Sequence, residues 1–459
     1  MTSTALATVI IVNYNGAHLL PACLDGLAEQ ADDVTTFDTV VVDNASVDNS
    51  RELLARDYPW VRVIASPTNL GFAGGNNLAL RQVNTPYAVL LNNDAVPQSG
   101  WLHNLLDAFR RPGSHNIGIA TGKVVFAPKF VHATIRTPGF RPASSDTRDL
   151  GVQIHHLRVD GVEVADKTLW RTAAYGPEGS GDSTFRWSRP IGEFLLPVPA
   201  QLVDDDQTVA KPVEVEVAVT AEAVKPVSLS VDGASSEITV GADPATLRLT
   251  IEPGTPTVDV INNAGGIVLR DGSGADRGFQ EIDEGQYDEP AEVFTACGNG
   301  MALRTAVGRE LGWFDDAFFM YYEDTDLSWR WRSRGWSVQY VPTAVLRHVH
   351  SATSTEWSPR WRFFVERNRM LMLTKNASGS LAAGAIWEYL RGSAGSLEHT
   401  VRDAVVQRRR PALRSEALRA RIALAYLRHA PDALRQRRAI RKQALQSRSE
   451  LQKWLVVSR

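Results

Sequence analysis

Carboxylates at the ends of apolar runs are the residues here whose type and spacing could do chemistry. LLNNDAVP, residues 90–97, ends an apolar stretch on Asn92, Asn93 and Asp94. A carboxylate delivered there suits a hard divalent cation, which usually takes one or two protein carboxylates and completes its shell with water and phosphate oxygens. Two asparagines stand where further acids would tighten that binding. MYYEDTDLSWRWRSRGW, residues 320–336, sets Glu323, Asp324 and Asp326 at the start of a helix expected to run to Gly335. Acidic residues in a first turn are favoured by the helix dipole, so a purely structural role is open. At helical spacing Asp324, Leu327 and Trp331 share a face, and a carboxylate ahead of an apolar and aromatic stripe is a candidate general base beside a sugar.

Other polar clusters stand at similar places. IIVNYNG (10–16) carries Asn13, Tyr14 and Asn15, and VVDNASVDNS (41–50) carries Asp43 and Asn44. A carboxylate at such a tip can accept from a ribose hydroxyl or a pyrimidine imide N–H, or can simply form a turn. NLGFAGGNN (69–77), with Asn69, Gly71, Phe72 and Asn76, precedes the helical LALRQV. Its backbone could approach a phosphate at a helix N-terminus, or it could be a plain Gly-rich helix entry. CGNGMALR (297–304) offers small residues for close approach to a bound sugar before a strand-like run, with Cys297 read as a small buried hydrophobe. Six tryptophans between 313 and 361 are expected mostly in the core, with one or two as a sugar platform.

These clusters need a scaffold that brings strand ends together. Thr8–Asn13, Thr39–Asp43, Val61–Ala65 and Tyr87–Leu91 read as strands alternating with helical stretches, the pattern of a mostly parallel α/β sheet with its crevice at the carboxyl edge. From about residue 136 short alternating runs such as VSLSVDG, SEITVG and TLRLTIE, punctuated by Gly, Pro, Asn and Asp, predict an inserted all-β sandwich or jelly roll. The expected organisation is residues 1–135 and 289–378 as two halves of the α/β unit, 136–288 as the insert, and 379–459 as a basic amphipathic helical tail broken near Pro431 and Asp432.

The 459 residues, 44% hydrophobic and 22% charged, exclude a small stapled fold and global disorder. Two distant cysteines give neither a disulfide framework nor metal spacing and predict a reducing, cytosolic setting. The N-terminal stretch has no basic residue before its short apolar run, so no signal peptide is expected, and no apolar run is long enough for a transmembrane helix. The net charge of −3 conceals an acidic stretch, 201–296, with 19 acidic against 5 basic residues, and a basic one, 381–459, with 17 basic against 6 acidic. The tail suits either an anionic membrane surface or a helical hairpin docked on the protein, and nucleic acid is not expected because no binding motif accompanies the charge.

IIVNYNG, VVDNASVDNS, NLGFAGGNN, LLNNDAVP, CGNGMALR, LGWFDDAFFMYYEDTDLSWR, RHVHSATS and ERNRMLML occur in the order seen in family 2 glycosyltransferases. The set most resembles the bacterial rhamnosyltransferase branch, over roughly residues 5–126 and 290–376. The resemblance implies a GT-A fold, a nucleotide-diphospho-sugar donor of dTDP or UDP type, a divalent cation (Mn²⁺ or Mg²⁺) and transfer with inversion. It implies Asp324 as base, with Glu323 and Asp326 orienting it or touching the acceptor. It also implies Asp43 at the nucleobase, and Asn13, Asn15, Asn44, Asn93 and the Asn69–Asn76 loop around the nucleotide. Asp94 and His348 are implied at the metal, with His350 a rival for the histidine.

The reading is a cytoplasmic enzyme, peripheral at the inner membrane face, that moves rhamnose onto a cell-envelope glycan or polyprenyl-linked saccharide. Its rivals are another donor (UDP-galactofuranose or a UDP-hexose) and an inactive sugar-binding assembly protein. The insert is open between an acceptor-side role and a homo-oligomer surface.

Overall fold

The computed structural model describes residues 5–31, 35–142, 146–179, 183–204, 206–349, 358–406, 408 and 413–457. It forms two compact units, one of residues 1–125, 261–279 and 285–459, the other of 126–260 and 280–284.

The first unit opens with β1 (Ala7–Asn13), α1 (Leu20–Ala28), β2 (Phe37–Asp43), α2 (Ser50–Asp57), β3 (Arg62–Ala65), α3 (Gly71–Leu80), β4 (Tyr87–Asn92), β5 (Ala95–Pro97), α4 (Trp101–Asp107) and β6 (Ile117–Phe126). β1 pairs in parallel with both β2 and β4, and β2 with β3. The consecutive strands β1 to β3 run to one side while β4 lies on the other, so a topological switch point falls between β1 and β4, where α/β sheets open a ligand crevice. The sheet is covered on both faces: Val9, Ile11 and Val41 join one apolar cluster, while Ile10, Val40 and Val42 join another. Each such side chain, fully buried, contributes about 1.5–3 kcal/mol.

The second unit contains β7 (Lys129–Arg136), β8 (Gln153–Val159), β9 (Val162–Glu163), β10 (Ala174–Glu178), β11 (Phe185–Ser188), β12 (Ile191–Val198), β13 (Val213–Thr220), β14 (Lys225–Val231), β15 (Ala234–Val240) and β16 (Ala245–Ile251). They form two antiparallel sheets, ordered β12–β7–β14–β15 and β10–β11–β8–β13–β16 with β9 beside β8. Alternate residues of both sheets, such as Ile135, Leu196 and Leu229 from one and Leu157, Val217 and Leu249 from the other, meet in one core. This is a β-sandwich.

Its limits differ from those read off the sequence. β7 pairs with β12 and β14, so the sandwich starts before residue 136. Residues 261–279 belong instead to the first unit. There β17 (Ile261–Asn263) pairs with β6, and β18 (Gly266–Val268) pairs with β19 (Gly274–Asp276). Short Gly-rich strands look alike in sequence whichever core they join.

β20 (Ala291–Glu292), β21 (Gly300–Arg304), α5 (Thr305–Leu311), α6 (Glu323–Ser333) and β22 (Ser337–His348) complete the main sheet, ordered β20–β22–β6–β21–β4–β1–β2–β3, with β5 on β22. α7 (Pro359–Asn376), α8 (Gly379–Val406), α9 (Arg414–Gln443) and α10 (Arg448–Gln452) follow. The break expected at Pro431 does not occur, since α9 continues through it. An interior proline costs about 3 kcal/mol. Ile422, Tyr426 and Ala433, buried on both sides of Pro431, hold α9 in the same core as α7. The Arg437 guanidinium donates to the Thr374 and Ala377 carbonyls at 2.8 and 2.7 Å.

Candidate active site

A cavity of about 620 Å³ opens at the carboxyl edge of the sheet, lined among others by Tyr14, Asn44, Asn69, Gly71, Phe72, Asn93, Asp94, Asp276, Cys297, Gly298, Glu323, Asp324, His348 and Trp361. Residues from the ends of β1, β2 and β4 thus meet residues from the CGNG turn and the start of α6.

α3 begins at Gly71, so the glycines expected in a loop form its first turns. They serve close packing: a Cβ on Gly75 would lie 2.8 Å from Val12 Cγ1. Gly71 itself has φ +70°, and a Cβ there would stand 2.3 Å from the Phe319 carbonyl oxygen. Asn44 ties the turn, with Oδ1 accepting from the Leu70 N–H at 2.8 Å and Nδ2 donating to Asn69 Oδ1 and the Gly71 carbonyl, each at 3.1 Å.

Asp43, Asn13, Asn15 and Asn76 stand behind this wall. Asp43 is fully buried, its Oδ2 accepting from Arg51 Nε at 2.7 Å and its Oδ1 from the Ser46 N–H at 3.3 Å. A base reaching this carboxylate must displace Arg51, whose side chain is half exposed. Asn13 donates to Ser50 Oγ at 2.9 Å and accepts from Asn93 Nδ2 at 2.8 Å, which orients Asn93. Asn15, at φ +52°, accepts from the Val47 N–H at 2.8 Å. Asn76 donates to the Phe72 carbonyl one helical turn back.

Strand register puts His348 beside Asp94. β22 runs antiparallel to β5 with His348 opposite Ala95, and the Asp94 carbonyl accepts from the Val349 N–H at 3.0 Å. His348 Nε2 is 3.2 Å from Asp94 Oδ1. His348 Nδ1 lies 3.3 Å from both Asn262 Oδ1 and Asn299 Nδ2. A proton on Nδ1 directed to Asn262 leaves the Nε2 lone pair facing Asp94, the second-shell arrangement of metal-binding histidines. Ligands at adjacent octahedral positions, each about 2.1 Å from a Mg²⁺-sized ion, are about 3 Å apart, so the pair fits two positions of such an ion. Among the described residues no group of three His, Cys, Asp or Glu side chains forms a ready-made metal cage. His350 lies outside the described residues.

The start of α6 is strained and clamped. Phe319, Tyr321 and Tyr322 all have φ between +66° and +69°. Asn368, from the ERNR stretch of α7, donates to the carbonyls of Phe318, Met320 and Tyr321 at 2.8–2.9 Å, and the neighbouring Arg367 guanidinium donates to those of Ala317 and Phe318. This turn delivers Glu323 and Asp324 to the cavity. Asp324 Oδ2 accepts from the Gly298 N–H at 3.1 Å and Oδ1 from the Thr325 N–H at 2.6 Å. Burial pushes the Asp324 carboxyl above its ordinary range, against the pull of these N–H donors. Glu323 is pushed up more strongly by burial and by Asp324, and its Oε2 is buried with no hydrogen-bond donor among the described residues. Cys297, half-buried beside these acids, is held well above the usual thiol range by desolvation first and by the charges of Asp276, Asp324 and Glu323.

Asp326 does not join them. Two residues along a helix is a turn of about 200°, so it faces away from Asp324. It is fully buried, accepting from Arg330 Nε at 2.8 Å, Lys375 Nζ at 2.9 Å and Asn376 Nδ2 at 2.8 Å. Its expected place at the acceptor is replaced by a link between α6 and α7. Sequence reasoning in turn passed over Asp276, Asn262 and Asn299. Asp276 and Asn262 come from the Gly-rich segment taken for part of the sandwich, and no spacing signal distinguished them. Trp329 and Trp331 are core, Trp361 lines the cavity, and Trp357 lies outside the described residues.

The family model described as glycosyl transferase family 2 matches residues 8–162, and the one described as glycosyltransferase-like family 2 matches residues 279–384. An N-acetylglucosaminyl-diphospho-decaprenol L-rhamnosyltransferase of Mycobacterium tuberculosis is 34% identical over 130 residues, 28% of this chain and 42% of that protein. A teichoic acid poly(glycerol phosphate) polymerase of Staphylococcus epidermidis is 32% identical over 91 residues, 19% of this chain and 12% of that protein. The chain thus spans less than half the length of these curated relatives. The mannosyltransferase PcManGT of Pyrobaculum calidifontis, solved with GDP-Man and Mn²⁺, overlays 94% of this chain and 88% of its own at 12% identity and a TM-score of 0.39. The two family 2 matches lie on either side of most of the sandwich and together supply the strands β20–β22–β6–β21–β4–β1–β2–β3 of the main sheet, and the first unit is a GT-A domain of the family 2 glycosyltransferases.

Proposed function

We propose that this chain transfers a sugar with inversion, L-rhamnose from dTDP-rhamnose, onto a lipid-linked saccharide of the cell envelope. The observation that carries the reading is the presence of Asp324 and the Asp94–His348 pair on one cavity at the switch point of the sheet. The rhamnose donor and lipid-linked acceptor rest on partial likeness to the mycobacterial rhamnosyltransferase.

The nucleotide lies over Tyr14, Asn44, Asn69, Gly71 and Phe72, with its base reaching Asp43 as Arg51 moves aside. Asn93 donates toward the diphosphate. Asp94 and His348 would hold a divalent cation, Mn²⁺ or Mg²⁺, which supplies positive charge opposite the diphosphate when bound. Asp324 takes the proton of the acceptor hydroxyl as its oxygen bonds to the anomeric carbon, while the bond from that carbon to the diphosphate oxygen breaks on the opposite face. The raised pKa of Asp324 strengthens it as a base, and the Gly298 and Thr325 N–H groups hold its Oδ2 and Oδ1 in place. Glu323 is pushed up more strongly beside it, which favours Asp324 as the ionised member of the pair.

Thermal stabilisation by dTDP, UDP and GDP and their sugars, with Mn²⁺, Mg²⁺ or EDTA, tests the donor site, because a ligand of the folded state raises apparent stability. Larger, metal-dependent stabilisation by dTDP and dTDP-rhamnose is expected. A larger response to UDP-galactofuranose or a UDP-hexose would replace the donor, and no response to any nucleotide would overturn the transferase reading.

A further inference from the structure

The hairpin of α8 and α9 carries two outward apolar stripes that no described residue covers. On α9, Leu413, Ala417, Ala420, Leu424, Leu427, Pro431 and Leu434 follow one another at three- and four-residue steps, and the four leucines are 46–67% exposed. Basic residues run along one edge of this stripe at strict seven-residue spacing: Arg414, Arg421, Arg428, Arg435 and Lys442, all exposed. Arg435 lies 3.4 Å from Asp432, the remaining acid on that edge. On α8, Trp387, Leu390, Leu397, Val401 and Val405 form a second stripe, 44–71% exposed, bordered by Arg391 and Arg402 and by Glu398.

The two stripes face the same way. α8 and α9 run antiparallel, tied by the Tyr389 hydroxyl on the Arg419 carbonyl at 2.6 Å and by Ser396 and Thr400 on Glu416 at 3.0 and 2.8 Å. On each helix the stripe stands about 80–110° around from these linking residues, at 100° per residue, and on the side away from the buried Ala385, Ile422 and Tyr426. The helices are 28 and 30 residues long, so each stripe lies on a rod about 40–45 Å in length. No described helix is long and apolar enough to cross a membrane.

The geometry points to this face as a membrane-docking surface. α8 and α9 lie in the plane of an anionic bilayer, with Trp387, Leu424 and Leu427 entering the acyl boundary and the arginine row on lipid phosphates. An apolar stripe edged by a periodic row of cations is what an in-plane amphipathic helix presents to such a surface. Anionic lipid, rather than a second copy of the chain, is the chosen occupant because a row of five like charges beside the leucines repels its own duplicate. The inference rests on the proposed lipid-linked acceptor only for its usefulness to the enzyme.

The test is co-sedimentation of the full chain with vesicles of phosphatidylcholine alone or with about one third phosphatidylglycerol. Binding to the anionic vesicles alone is expected, weakening with salt. Each basic residue near such a surface contributes about fivefold in partitioning, so Arg421→Gln, Arg428→Gln and Arg435→Gln together should lower it about a hundredfold. Leu424→Ser with Leu427→Ser should also release the protein, with helical circular dichroism and stabilisation by donor nucleotide unchanged. Equal binding to both vesicle types, or unaltered binding of the arginine variant, would overturn the inference. So would a dimer in light scattering that the leucine variant dissociates without changing vesicle binding. Nucleotide stabilisation is read on the same samples. A protein that binds nucleotide but not vesicles loses the docking face and keeps the transferase reading, and the converse result does the reverse.

Discussion

Asp324 and Asp326 stand two residues apart on α6, yet their removal should produce opposite phenotypes. Asp326→Ala deletes the acceptor shared by Lys375, Arg330 and Asn376. Lys375 is only 1% exposed and would keep a single carboxylate, Asp315, at 2.8 Å. Arg330 would keep the Leu311, Gly312 and Trp313 carbonyls. Breaking a buried pair by removing one partner costs about 3–5 kcal/mol, and the retained Asp315 places this case near 3 kcal/mol. With a denaturant slope of about 2–3 kcal/mol per molar urea, the unfolding midpoint should fall by about 1 M. Asp324→Asn keeps an oxygen for only one of the Gly298 and Thr325 N–H groups, which hold Oδ2 and Oδ1 respectively, a loss of about 1 kcal/mol, and it removes a carboxyl whose charge burial disfavours. Its midpoint should therefore move much less than that of Asp326→Ala, while turnover falls by about 10²–10⁴, the usual worth of a positioned general base. Urea titrations followed by tryptophan fluorescence, run beside a sugar-transfer assay, read both quantities. Asp326→Ala with an unchanged midpoint, or Asp324→Asn with unchanged turnover, would refute the division of labour between the two carboxylates.

Glu323→Gln should change how stability depends on pH. The Glu323 pKa is raised by burial and by Asp324, so the stability that its proton allows is fully present below the ordinary glutamate range and is lost as pH rises through the raised value. The variant should therefore match the wild type in melting temperature at acid pH and exceed it at and above neutrality, and a gain confined to acid pH would contradict the assignment. Gly71→Ala forces a side chain into φ +70° and against the Phe319 carbonyl, which should cost about 2–4 kcal/mol in denaturation and weaken nucleotide stabilisation. Asn368→Ala removes the two N–H donors that three carbonyls of the strained turn share, worth about 1 kcal/mol each, and should lower turnover at least about tenfold with donor KM nearly unchanged. A rise in donor KM alone would place Asn368 elsewhere in the scheme. His348→Ala should abolish any difference between Mn²⁺ and EDTA in nucleotide stabilisation, measured by melting temperature.

The parallel strands and the residues at their tips were legible because apolar runs that end in polar residues have few other ways to fold. β1 to β4 begin and end within two residues of the runs read from the sequence, and both faces of the sheet are built from their alternation. Asp324 was legible for a similar local reason, since a first-turn carboxylate ahead of Leu327 and Trp331 must lie near the apolar face that packs α6 on the sheet. The place of Asp326 at the acceptor was carried over from the family motif, and about 200° of helix separates it from Asp324. Asp276, Asn262 and Asn368 were beyond local reading. Two reach the cavity on a segment that returns from the sandwich, and the third acts from α7 on a turn nearly fifty residues earlier.

That distribution has a physical cause which bears on the chemistry. A side chain that reacts need only be delivered, and strand ends or a first helical turn deliver it with local sequence. The left-handed turn of Phe319, Tyr321 and Tyr322 is different, because each non-glycine residue there is held in a sparsely populated conformation that costs about 1–3 kcal/mol. Local sequence opposes such a turn. Distant groups that satisfy its carbonyls, Asn368 and Arg367 from α7 and the Ala73 N–H from α3, hold it next to the two carboxylates whose ionisation burial resists. The strained turn, the clamp from α7 and the buried acids therefore form one device. Lys375 and Asn376, about two helical turns beyond the clamp, bind Asp326 from the same helix, so α7 fixes the start of α6 on both of its faces.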